Sequence, residues 1–332
     1  MKKLFAGYTQ YQLLIFLLLK QQDDEIIFLL PKYLEELKRR LEPKYKVMIA
    51  EKEKPSLKKI FKYLAYYKYI EKLVKELKVS EDTILYGDSI VNYVISNKNI
   101  LCKLEDGTGN YITKVFDENS SLKKIIYFFI EKIIYFIFFN KILLSEKEKI
   151  KRRVDKYYIT EIAPKVVWFE DKAIRISLKD LWKKKQFEEQ IEILKIFNIK
   201  TEFFNKIKKR KIILFTQPLS EEKVISEKEK VELYIKIISK YKEEEIIIKP
   251  HPREKTEYSK YFRAAIIIEE KFPAELLYLI GVELDKVVTI FSTAAFIFGK
   301  DIKIDFYGTE IHKKLFQTYG SCDSLMKRNA FL

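Results

Sequence analysis

Four short segments of the chain join chemically active side chains to backbone that would hold them still. In Leu104-Glu105-Asp106-Gly107-Thr108-Gly109, glycines at 107 and 109 let the backbone turn sharply and approach a ligand. The Asp106 carboxylate could take a proton from an attacking hydroxyl. The same residues would equally make a plain tight turn. In Lys249-Pro250-His251-Pro252-Arg253, an imidazole stands between two prolines that stiffen the main chain, with cations on either side. Such a group could donate a proton or a charge-assisted hydrogen bond to a phosphate leaving group. The alternative is a rigid surface turn with an incidental histidine. Ser292-Thr293-Ala294-Ala295 would open a helix with hydroxyls and free N–H groups, which favours phosphate, or is an ordinary N-cap. Thr216-Gln217-Pro218-Leu219-Ser220-Glu221 adds a polar loop, or a capped turn. His312 lies in a lysine-rich amphipathic stretch and reads as structural.

Each of the four segments follows an apolar run of strand type, and ligands of open α/β sheets sit at the carboxyl ends of strands. Such runs lie at Lys3 to Ala6, Ile26 to Leu30, Lys46 to Ile49, Thr83 to Tyr86 and Asn99 to Leu104. In the second half they recur at Lys211 to Phe215, Glu245 to Ile248, Ala265 to Ile268, Lys286 to Phe291 and Ile302 to Phe306. Charged amphipathic stretches such as Pro55 to Leu77 alternate with them, so both halves read as parallel α/β. The first segment parses as strand, Gly7 to Gln12 loop, helix to about Gln21, then strand. Its lysines and apolar stretch do not make a signal peptide, because polar residues interrupt the run and no small-residue cleavage site follows. The charged region Ser145 to Lys165 is the expected join, giving domains 1–160 and 161–332.

Composition narrows the classes. The chain has 332 residues, 48% hydrophobic and 34% charged, which excludes disorder and suits two globular domains. Cys102 and Cys322 are its two cysteines and His251 and His312 its two histidines, so a disulfide framework or zinc ligand set is out of reach. The compartment read from this is cytoplasmic. The net charge of +16 suggests an anionic partner, but nine arginines among 64 basic residues leave mostly lysine, which lacks the forked geometry for reading phosphates or base edges. No nucleic-acid partner is expected. Walker, GxGxxG, HExxH and GxSxG motifs do not occur.

Ile125 to Leu144 is almost wholly Ile, Phe, Tyr and Leu, with Glu131 and Lys132 near its middle. Central charges cost about 2.5 to 3.5 kcal/mol each on insertion, so a membrane span is not expected. Core, dimer interface and peripheral membrane contact remain open for it.

Taken in order, Glu105-Asp106-Gly107, His251-Pro252 and Ser292-Thr293 resemble the bacterial sialyltransferases, and most closely the lipooligosaccharide sialyltransferases of glycosyltransferase family 52. Thr9-Gln10-Tyr11-Gln12 corresponds to a Thr-Pro-x-Gln-like loop of that family, with Gln10 in place of proline, and Gln217-Pro218-Leu219 to a segment before the histidine motif. The resemblance implies a GT-B fold, two Rossmann-like domains facing across a cleft. It also implies inverting, metal-independent transfer of sialic acid from CMP-sialic acid to a terminal galactose of a cell-surface glycan. In this mapping domain 1–160 is the acceptor side, with Thr9 and Gln12 in its cleft loop, and 161–332 binds the donor. Asp106 is the base, with Glu105 as its alternate, and His251 the group on the departing phosphate, which Ser292 and Thr293 bind. Glu105, Gly107, Gln217, Pro218, Lys249, Pro252 and Glu275 frame the donor, and Glu221 and Glu222 compete for the role of base. No cofactor or metal is implied; the partners are a nucleotide-sugar donor and a glycan or glycolipid acceptor. A homodimer and peripheral contact with the cytoplasmic face of the inner membrane are further expectations. The alternatives are a related transferase using another nucleotide sugar, such as a glucosyltransferase, or a non-enzymatic protein binding anionic glycans or membrane.

Overall fold

The computed structural model describes residues 1–51, 60–95, 98–106, 122–139, 144, 146–161, 163, 165, 167–207, 210–298 and 302–321. The chain divides into two compact units, Met1–Glu189 and Gln190–Leu332.

The first unit runs β1 (Lys2–Phe5), α1 (Gln10–Leu19), β2 (Glu25–Pro31), α2 (Lys38–Leu41), β3 (Lys46–Ala50), α3 (Ile60–Leu77), β4 (Ile84–Tyr86), α4 (Ile90–Ile95), β5 (Leu101–Leu104), α5 (Leu122–Phe139), α6 (Glu146–Arg153), β6 (Lys156–Ile159), β7 (Ala173–Arg175) and α7 (Leu178–Lys184). Its strands form one sheet in the order β3-β2-β1-β4-β5-β6-β7, every pair parallel. Parallel strands are covered on both faces, which is why Ile26 to Leu30 of β2 is a continuous apolar run rather than an alternating one. Phe5, Phe16 and Phe28 interlock between β1, α1 and β2 with centroids 5.1 to 5.9 Å apart.

The second unit takes most of α8 (Phe187–Ile196), then α9 (Thr201–Ile207), β8 (Ile212–Phe215), α10 (Glu227–Ile238), β9 (Ile246–Lys249), β10 (Ile266–Ile267), α11 (Glu275–Leu279), β11 (Lys286–Thr289), β12 (Lys303–Phe306) and α12 (Lys313–Tyr319). Its sheet is also parallel, in the order β10-β9-β8-β11-β12. Ser226 and Glu229 form a capping box that starts α10. Both sheets reverse their strand order once, at β1/β4 and at β8/β11, the places where Rossmann-like sheets open a crevice.

The first reversal depends on Gly87. Its φ is +100°, and a Cβ there would lie 2.5 Å from the Ala6 carbonyl oxygen, so the ends of β1 and β4 approach more closely than any side chain permits. Asn92 Nδ2 donates to the Tyr86 carbonyl at 2.9 Å and the Gly87 carbonyl at 3.2 Å, holding the turn. Gly87→Ala is expected to cost about 3 kcal/mol and lower the melting temperature by about 10 °C; an unchanged melting curve would contradict the strain.

Two expectations change. The unit boundary falls at Glu189/Gln190 rather than after residue 160, because β6 and β7 extend the first sheet and α7 packs on α1. The region read as the join therefore contains α6 and β6. Thr9 does not sit mid-loop but caps α1, which starts at Gln10. The helix that Ser292 precedes is a 3₁₀ helix, Thr293–Phe298. Among the described residues no helix is long and apolar enough to cross a membrane. α5 has two faces: Ile134 and Tyr135 are buried, and Phe138 and Phe139 pack on Tyr67, whereas Ile133, Phe136 and Ile137 are 60%, 53% and 71% exposed.

Candidate active site

In the first unit the loops after β1, β4 and β5 converge at the strand reversal. Thr9 is the pivot. Its hydroxyl accepts the Gln12 N–H at 3.2 Å, capping α1, and donates to Asp106 Oδ1 at 2.8 Å. Gln12 is fully buried. Its Oε1 accepts the Tyr8 N–H at 2.8 Å, while Nε2 reaches the Leu104 carbonyl and Asp88 Oδ1, both at 3.3 Å. Lys103, buried in β5, places Nζ 3.7 Å from Asp88 Oδ2. Burial pushes the Asp106 carboxyl above its ordinary range; the Thr9 hydrogen bond opposes this, the Asp88 charge adds to it, and Lys103 opposes it. A carboxylate with raised proton affinity, held by a hydroxyl and close to a second carboxylate, suits a general base.

Thr9, Gln12 and Asp106 thus lie together at the ends of β1 and β5. Asp88 joins them unforeseen, although a Gly-Asp pair directly after the buried strand β4 was a signal for it. Glu105 is fully buried: its N–H bonds the Tyr158 carbonyl at 3.0 Å and its carboxylate accepts the Thr160 N–H, so it braces β5 against the end of β6. Gly107 lies outside the described residues.

In the second unit the loops after β8 and β9 are tied together. His251 donates its main-chain N–H to Glu254 Oε1 at 2.7 Å, and its Nδ1 accepts the Arg253 N–H at 3.2 Å. The neutral ring therefore carries its proton on Nε2. Burial pushes the imidazole down to about 4; Arg253 and Lys249 act in the same direction, and Glu222 and Glu221 oppose it. His251 is consequently a neutral Nε2–H donor at physiological pH. Pro252 is half-buried beside it. Gln217 donates its N–H to the Tyr234 hydroxyl at 2.7 Å, and Pro218 is buried behind it.

Glu222 and Glu221 have partners of their own. Glu222 pairs with Arg253 Nη2 at 2.7 Å and accepts the Tyr319 hydroxyl at 2.6 Å. Burial of Glu221 would raise its proton affinity, but the Lys255 N–H and Lys230 outweigh it and hold the carboxyl below its usual range. Lys249 is buried, donates to the Glu270 carbonyl at 3.2 Å and lies 4.4 Å over the Phe272 ring. Burial pushes it down to about 8, against Glu270, Glu275 and Glu254. It anchors the loop that leads to Glu275, itself buried at the start of α11. Ser292 donates its N–H to Thr289 Oγ1 at 2.9 Å, and Thr289 donates on to the Phe215 carbonyl at 3.2 Å. Thr293 opens the 3₁₀ helix, and its side chain lies outside the described residues. His312 is structural, as expected: its Nδ1 caps α12 through the Lys314 N–H. Glu254 and Lys230, which no motif of the sequence marks, hold these loops from inside together with Thr216. Among the described residues no group of three or more His, Cys, Asp or Glu is placed to hold a metal ion.

Two solved structures share this architecture. A sialyltransferase of Photobacterium damselae, in the segment corresponding to its GT-B domain, is 12% identical with a TM-score of 0.58, covering 95% of each chain. A galactoside α-2,3-sialyltransferase of Photobacterium phosphoreum is 14% identical with a TM-score of 0.60, covering 100% of this chain and 95% of that one. The fold is thus GT-B-like, built from two Rossmann-like units. An uncharacterized protein of Haemophilus influenzae is 36% identical over 253 residues, 76% of each chain. The profile of glycosyltransferase family 52 matches residues 32–315, a span that takes in Asp106, His251 and Ser292, and the chain belongs to that family.

Proposed function

We propose that the protein is an inverting, metal-independent sialyltransferase that moves sialic acid from CMP-sialic acid to a terminal galactose of a cell-surface glycan such as lipooligosaccharide. The observation that carries the reading is the state of His251, a neutral Nε2–H donor on a stiff His-Pro backbone with Arg253 adjoining. That group suits an oxygen that gains negative charge as a bond breaks. Both structural neighbours are sialyltransferases, and the motifs follow the order of the family resemblance.

In the step proposed, the acceptor hydroxyl oxygen bonds to the anomeric carbon of sialic acid from the face opposite the nucleotide. The bond from that carbon to the phosphate oxygen breaks, and its electron pair leaves with CMP. Asp106 takes the hydroxyl proton. His251 donates a hydrogen bond from Nε2–H to the departing phosphate and keeps its proton, so CMP leaves with the electron pair as its dianion. Ser292 and Thr293 bind that phosphate, and Gln217, Pro218, Pro252 and Glu275 frame the nucleotide.

A donor panel tests the reading. With a galactoside acceptor, CMP-sialic acid is expected to be consumed, UDP-sugars are not, and excess chelator leaves the rate unchanged. Consumption of a UDP-sugar alone, or a rate abolished by chelator and restored by Mg²⁺, would point to a different transferase class.

The reading also carries a homodimer and peripheral contact with the inner membrane, supported by the apolar row Ile133, Phe136 and Ile137 on α5. Ile133→Ser with Ile137→Ser is expected to weaken self-association or sedimentation with anionic vesicles; both persisting unchanged would remove α5 from either role.

A further inference from the structure

A buried charged cluster beneath the His251 loop takes no part in the chemistry above. Glu254 is three residues past His251, and its side chain is wholly buried. One carboxylate oxygen accepts the His251 N–H at 2.7 Å and the Thr216 hydroxyl. The other accepts the Tyr258 hydroxyl at 2.5 Å and lies 3.7 Å from Lys230 Nζ. Lys230 has no exposed side-chain surface and also meets Glu221 at 3.0 Å and Glu227 at 3.1 Å. The Glu254 N–H returns to the His251 carbonyl at 2.9 Å, so the turn is closed by main chain and side chain together.

A single carboxylate therefore joins the loop after β8, through Thr216, to the loop after β9, through His251, and a lysine from α10 balances its charge. Several kcal/mol of desolvation oppose burying such ions, and an apolar plug would stabilise the fold at least as well. What an apolar plug lacks is an acceptor that fixes the main chain of two loops at once.

We propose that Glu254 is a positioning residue: its carboxylate fixes His251 against the Thr216–Gln217 loop, so that the imidazole keeps one tautomer and one place toward an anionic leaving group. The identity of that leaving group rests on the proposed function; the positioning does not. Charged and titratable groups around the pair are Arg253, Lys249, Glu222 and Glu221 for His251. For Glu254 they are Lys230 and Tyr258, with Tyr234 and Lys249 beyond.

The chain has two histidines, so ¹⁵N-histidine NMR of the full protein shows two imidazoles, and His312→Asn assigns them. In the unsubstituted protein His251 is expected as the Nε2–H tautomer, titrating below the ordinary histidine range. Glu254→Met fills the space without an acceptor. It is expected to mix the tautomers, move the His251 midpoint up toward the ordinary histidine range as the released ring loses burial, and cut kcat about a hundredfold with a smaller change in donor KM. Glu254→Gln, which still accepts the His251 N–H, is expected to retain the tautomer and most of the turnover. A folded Glu254→Met protein with His251 and kcat unchanged would overturn the proposal. If that variant does not fold, Thr216→Val replaces it: it breaks only the bond to the other loop, a partial shift of the same kind is expected, and no shift overturns the proposal. Should CMP-sialic acid not be turned over while the NMR changes occur, the proposed function falls and the positioning role stands.

Discussion

His251→Ala is expected to lower kcat by about a hundredfold or more while the protein stays folded and the donor KM changes little. Loss of a positioned acid or of one donor to a developing anion costs 10² to 10⁴ in rate. The loss falls in kcat because the Nε2–H bond matters most after charge has moved onto the phosphate oxygen. The ring is held down to about 4 by burial, with Arg253 reinforcing, so in free enzyme it is already neutral above that pH. No limb of kcat/KM between pH 5 and 8 should therefore come from free His251. A folded His251→Ala protein with near-normal turnover would take the residue out of the mechanism.

Asp106→Asn is expected to reduce kcat about a hundredfold to ten-thousandfold, since the amide cannot accept the acceptor hydroxyl's proton. The pH dependence makes the assignment specific. A base works when deprotonated, so kcat/KM should rise with pH through the Asp106 pKa, which burial lifts above the ordinary carboxylate value. Asp88→Asn removes a charge that adds to this rise, and the limb should move to lower pH. Thr9→Val removes the hydrogen bond that opposes it, and the limb should move to higher pH, with a cap loss of about 1 kcal/mol as well. Shifts of opposite sign from two neighbours of one carboxylate are hard to obtain from a residue that only supports the fold. If neither substitution moves the limb, another group is the base.

Much of the fold was legible because parallel strands are covered on both faces. Ile212 to Phe215 and Ile246 to Lys249 are short apolar runs with few alternative readings, and the loops that follow them were where chemistry was expected. β6 and β7 were not legible: Lys-Tyr-Tyr-Ile and Ala-Ile-Arg are too short and too polar to stand out in a charged region, and they become strands only because β5 offers an open edge. Their addition moves the unit boundary past α7. The site shows the same division. Thr9, Asp106 and His251 declare themselves by residue type and punctuation. Glu105 looked like a second acid and is a brace, because the Thr160 main chain that occupies it is remote in sequence. Lys230 sits in Glu-Lys-Glu-Lys, a pattern that reads as a solvated helix face, and the carboxylates that bury it come from three separate places in the chain.

The central claim is tested most directly by following the protein with CMP-sialic acid and a galactoside acceptor by NMR and identifying the product. The account predicts CMP release that requires the acceptor, a new sialyl–galactose linkage, and an anomeric configuration opposite to that of the donor. A folded protein that forms no acceptor-linked product, or forms one with the donor's configuration retained, would contradict it.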